Sequence, residues 1–180
     1  MSASKLNDLK KEIISIGRKD LETICLQLAK HKVENKDLLA YLLFDAEDPI
    51  KYASKIKLEL DDFFQISFPA KTNYNAAKLL RKAYKLITKY SKFTKSAAGE
   101  IELILHFSEL FLSHFSLHNH YQPLRYLYVR SISRTGKIFL KLHEDIRMDY
   151  KEAYTHHANK ALQHMSYEEM LRYPIHIPED

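Results

Sequence analysis

Glycine is scarce in this chain. Gly17, Gly99 and Gly136 are the only three in 180 residues, against an average usage of about 7%. Tight hairpin turns draw on glycine for positive φ, so its scarcity argues against a sheet protein and for helices with short connections. Cysteine occurs once, as Cys25, which excludes an internal disulfide. The opening residues MSASKLNDLKKE lack the apolar core of a signal peptide. Both features point to a reducing, cytoplasmic setting. With isolated glycines, neither G-x-G-x-x-G nor G-x-x-x-x-G-K occurs, and G-x-S-x-G is also absent. No catalytic motif is present, so the expectation is a module without enzymatic chemistry and without a cofactor.

Acids are missing from two long stretches. Phe63 to Gly99 contains none, yet it carries Lys71, Lys78, Arg81, Lys82, Lys85, Lys89, Lys92 and Lys95. Leu110 to His143 also contains none and carries Arg125, Arg130, Arg134, Lys137 and Lys141. The two stretches hold +8 and +5; the whole chain is only +5, so the rest of it is net −8. This separation of charge is the strongest electrostatic signal in the sequence.

What the sequence does have is apolar helical periodicity. The stretch Glu100 to His118 reads EIELILHFSELFLSHFSLH. Its apolar residues cover most of a helical wheel, leaving Glu102, His106, Glu109 and Ser113 as a narrow wet stripe. An apolar arc much wider than about 100° calls for neighbours on several sides. The stretch is predicted to be a central buried helix. Its two internal glutamates and two internal histidines argue against a membrane span.

Around it the periodicity predicts seven or eight helices in antiparallel pairs, as a helical bundle or a HEAT-like hairpin array. The first runs from about Ser4, a candidate N-cap, to Ile16, with Gly17 at C′. A second begins near Asp20, and its apolar stripe includes Cys25. A third spans about Lys36 to Ala46. Asp48-Pro49 starts a fourth, with proline at the first helical position; it reaches about Ile66. Ser67 to Asn73, with Pro69, is a connection. A fifth helix spans about Tyr74 to Phe93. Gln122-Pro123 starts the seventh, in which Gly136 is a point of weakness. Its pattern fades toward His164, which leaves one long helix or two. Ser166 and Glu169 match a capping box for a last short helix. The expected organisation is a single all-helical domain over 1–165, then the capped helix and an irregular tail over 166–180. The first four helices share a pattern with HEAT-type hairpins, but by analogy only; no fixed repeat length recurs.

Two basic stripes are the best candidates for function. Lys78, Lys82, Lys85, Lys89 and Lys92 recur at steps of 4, 3, 4 and 3, which keeps them on one helix face. Arg130, Arg134, Lys137 and Lys141 do the same on the seventh helix, with Tyr126 four residues before Arg130. Such stripes suit an anionic partner, nucleic acid foremost, with lysine on phosphates and arginine making bidentate contacts. The alternative is a protein-interaction or scaffold domain using helix-pair surfaces. A third reading is a metal-dependent enzyme within the bundle. Its weak candidate ligands are His114 and His118, four apart, with His120 following. His143-Glu144 starts a zincin-like pattern that fails at Arg147. Asp61-Asp62 reads as solvated surface.

Overall fold

The computed structural model describes residues 5–68, 72–118 and 121–178. The expected cap Ser4, as well as Pro69, Lys71, His120 and the final two residues, lie outside the described residues. The described residues are all-helical, and none forms a strand. None of their helices is long and apolar enough to cross a membrane. The chain divides into two compact units, Met1–Glu47 and Asp48–Asp180.

The first unit holds α1 (Leu6–Ser15), α2 (Arg18–His31) and α3 (Val33–Phe44). Gly17 follows the C-cap of α1 but keeps φ at −68°, so its access to left-handed backbone is not used. α2 packs on α3. Cys25 is half-buried there and lines an apolar pocket of about 280 Å³ with Leu28, Leu38, Leu39 and Leu42. Tyr41 is the one buried side chain described in this unit.

The second unit holds α4 (Pro49–Ser67), α5 (Asn73–Thr94), α6 (Ala97–His114), α7 (Gln122–Phe139), α8 (Glu144–Leu162) and α9 (Tyr167–Arg172). Two of the expected start signals operate as side-chain caps, whereas α7 starts at Gln122 with Tyr121 as its N-cap and no side-chain cap, and α2 starts at Arg18 after Gly17. Asp48 accepts from the Lys51 N–H at 2.9 Å with Pro49 at N1. Ser166 and Glu169 close a complete capping box. α5 ends differently from most helices: Lys95 takes the left-handed conformation, at φ 53°, that glycine usually fills. The region 123–165 is two helices, parted at Leu140–His143.

α6 is the centre of this unit and packs against α4, α5, α7 and α8. Ile101, Leu103, Ile104, Phe107 and Phe111 are fully buried. The helix lies a few residues earlier than expected, because Ser96 caps it by accepting from the Gly99 N–H. It stops at His114, so Phe115 to His118 are not helical. Leu110, expected in the core, is half-buried. The wet stripe is matched by its neighbours. Glu102 pairs with Lys57 at 2.5 Å, and His106 Nε2 lies 2.7 Å from Asp61 Oδ1. Asp61 is therefore engaged, contrary to the solvated reading.

Two glycines mark close helix approaches. A Cβ on Gly99 would overlap the Tyr90 hydroxyl, and one on Gly136 would overlap the Tyr154 hydroxyl. Gly136 sits in a regular helix and admits Tyr154, so it is a packing device and not the weak point its type suggested. Tyr154 stacks on Phe139 at 5.0 Å and donates to the His176 carbonyl at 2.8 Å, fastening the C-terminal tail.

Candidate anion-binding groove

α5 is amphipathic. Ala76, Ala77, Leu80, Ala83, Ile87 and Tyr90 are buried, so the opposite face carries its charges outward. Lys78, Lys82, Lys85 and Lys92 are exposed, and Lys89 is half-buried with its ammonium 5.8 Å from the Phe93 ring centroid. On α7, Leu124, Tyr128, Ile132 and Phe139 turn inward. Arg130, Arg134 and Lys137 are exposed. Lys141 is exposed as well, but it lies beyond the end of α7, in the turn before α8, so it extends the stripe without sharing the helix.

α5 and α7 pack together, and of the two stripes Lys85, Arg130 and Arg134 line one groove between them, whereas Lys78, Lys82, Lys89, Lys92, Lys137 and Lys141 do not. The groove encloses about 420 Å³. Arg81 and Lys85 reach it from α5, and Arg130 and Arg134 from α7. Tyr84, Thr88 and Leu127, all half-buried, line it more deeply. At about 100° per residue, Lys78, Lys89 and Lys92 fall on the same arc of α5 as Arg81 and Lys85. Lys82 lies furthest round. Tyr126 is not among the lining residues; it packs near Tyr173, with ring centroids 6.4 Å apart, and near the Arg125 guanidinium.

One carboxylate enters this region. Glu100, buried on the first turn of α6, binds Arg134 Nε and accepts from the Ser91 hydroxyl. That hydrogen bond raises the Arg134 pKa further, so the guanidinium stays charged but is partly neutralised. Among the described residues, no carboxylate lies within ion-pair distance of Arg81, Lys85 or Arg130. Those three are the free cations of the groove. Tyr84 feels the whole arrangement. Burial pushes its phenol up to about 12, with Arg134 and Arg130 pulling down against Glu100. It is a neutral hydroxyl at physiological pH.

The stripe arithmetic missed Arg81, Tyr84, Thr88 and Leu127. Arg81 had a signal, because Arg81, Lys85, Thr88 and Lys92 step by 4, 3 and 4 along one row. Leu127 had none, because an apolar residue at helical spacing suits a core position and a groove wall equally.

The histidines are arranged differently from the expectation. α6 ends at His114, so His114 and His118 do not share a helix face. His114 Nδ1 lies 2.8 Å from the Leu110 carbonyl, and its ring packs on Phe64 and Phe68. His118 instead meets His164 of the α8 end, edge to face at 4.3 Å. Burial, His118 and Arg125 lower the His164 pKa. Among the described residues, no group of three or more histidine, cysteine or acidic side chains could hold a metal ion. His157 is buried. Its Nδ1 meets the Tyr128 hydroxyl at 2.8 Å. Its Nε2 lies 2.9 Å from Glu109 Oε1, near enough to feel the charge but off line for a hydrogen bond.

No protein-family model, curated protein or solved structure matches this chain.

Proposed function

We propose that the α5–α7 groove binds an anionic macromolecule, with nucleic acid foremost, and that the protein is a binding module without catalytic chemistry. The observation that carries this reading is the meeting of the two acid-free stretches in one concavity, with no carboxylate among the described residues within ion-pair distance of Arg81, Lys85 or Arg130. Like charges at helical spacing repel by a few tenths of a kcal/mol per pair. A bound phosphate chain would relieve that repulsion. Lys78, Lys92 and Lys137 would extend the positive surface beyond the groove along a backbone. The lone cysteine suits a cytoplasmic location for such a module.

Fluorescence anisotropy with labelled oligonucleotides tests it. Affinity should fall steeply with salt, with a log–log slope of about −0.9 per duplex phosphate neutralised, or about −0.7 on a single strand. Lys85→Glu with Arg130→Glu should weaken binding at least tenfold and flatten that slope. No binding at about 50 mM salt removes the reading.

A second reading has its own support. The first unit exposes apolar side chains on all three of its helices, which suits contact with another protein. Binding of that kind would be insensitive to salt and to the Lys85 and Arg130 substitutions.

A further inference from the structure

We infer that the groove takes nucleic acid as a single strand, one nucleotide at a time, with the phosphate on the Arg81, Lys85 and Arg130 rim and the base against the Tyr84 and Leu127 floor. This rests on the reading of the groove as a nucleic-acid site and deepens it.

The reason is the shape of the groove and the layering of its chemistry. The three free cations are exposed, whereas Tyr84, Thr88 and Leu127 are half-buried beneath them. The volume, about 420 Å³, is that of a small-molecule pocket and is too small to admit a duplex. It is also more enclosed than the wide concavity at the end of α6. A duplex carries its phosphates outside and stacks its bases within, so it would touch the rim and leave the floor empty. A single strand can turn an unstacked base inward, onto an aromatic and aliphatic surface, while its phosphate stays with the cations. The lysines on the outer arc of α5 would then follow the neighbouring phosphates.

A duplex-binding surface would be built otherwise. Flat or convex lysine stripes neutralise duplex phosphates without an apolar floor. Here the floor lies between the stripes, and the arginines, whose planar forks hold a phosphate in two places, stand at its edge.

The experiment compares three labelled ligands on the full chain at about 100 mM salt. They are a 12-nucleotide single-stranded DNA, the RNA of the same sequence, and the 12-base-pair DNA duplex. The expected result is at least tenfold tighter binding of both single strands than of the duplex. Thr88→Phe should then remove most of that preference, because it fills the floor and leaves the rim charges in place; a melting curve checks that the variant is folded. Duplex binding equal to or tighter than single-strand binding overturns the inference while leaving the broader anionic reading standing. Silence of all three ligands overturns both. The comparison on the unaltered protein decides the matter even where Thr88→Phe fails to fold.

Discussion

The two units have the same kind of sequence pattern and reach very different burial. Met1–Glu47 has amphipathic helices with apolar residues at helical spacing, as Asp48–Asp180 does. Yet the first unit buries Tyr41 and leaves Leu6 82% and Phe44 79% exposed, while the second builds a continuous core from α4 to the α8 end. Two differences account for it. Helices of 10, 14 and 12 residues offer short apolar faces, against 18 to 22 for the five long helices of the second unit. Aromatic residues are also unevenly placed: of twelve tyrosines and nine phenylalanines, the first unit has only Tyr41 and Phe44. Large rings such as Phe64, Phe107, Phe111 and Tyr128 reach across a bundle and meet one another near 5–6 Å. A small unit without them has too much surface for its volume.

The largest expected effect lies at the centre of the second unit. Phe111→Ala should destabilise it by about 3–5 kcal/mol, since the ring is fully buried and leaves a cavity. Leu28→Ala in the first unit should cost less than about 1 kcal/mol, because that side chain is already exposed. Chemical denaturation of both variants measures the contrast. Equal losses would show that Leu28 and Phe111 are packed alike.

An intermediate effect is expected at the α7–α8 contact. Gly136→Ala should cost about 1–3 kcal/mol through overpacking against Tyr154. Tyr154→Phe alone loses the bond to the His176 carbonyl, about 1 kcal/mol. The two should be less than additive in the double variant, because removing the hydroxyl makes room for the new methyl. Strict additivity in a double-mutant cycle would show that Gly136 has another role.

The smallest effect is a dependence on pH, and it too belongs to the second unit. Burial lowers the His157 pKa and outweighs the attraction of Glu109. A histidine whose folded pKa is depressed stays neutral in the fold after the unfolded chain has begun to bind its proton. Stability should therefore fall as pH drops below about 6.5, toward the folded pKa. Glu169 adds a later loss. Burial would raise its pKa, but the Ser166 N–H and Arg125 outweigh burial and lower it. Its contribution is present above the ordinary carboxylate range and disappears as pH falls through the lowered value. Melting temperatures from pH 7.5 to 5.5 should decline, and the decline should be shallower in His157→Gln. An unchanged slope in that variant would assign the loss to other groups.

Much of the fold could be read from the residues in order. The glycine scarcity, the Asp48-Pro49 start, the capping box at Ser166 and the apolar arc of α6 all express local rules that act within a turn or two. The alternation of acid-free stretches with acidic ones is equally a property of sequence. The candidate groove was half legible. Exposed lysines and arginines follow from helical period, so their faces were predictable.

Other features became visible only when the helices were packed. That α5 and α7 lie side by side depends on which apolar faces fit together around α6, and periodicity does not encode partner choice. The withdrawal of Arg134 toward Glu100 joins residues 34 apart in the chain. His118 exchanged an expected neighbour four residues away for His164, because the helix ended at His114. Gly136 looked like a flaw until Tyr154 was placed against it. Local order set the helices, their caps and the sign of charge on each face, since these act through bonds within a turn. Packing alone decided which faces met, since that choice turns on the shape and volume of side chains distant in sequence.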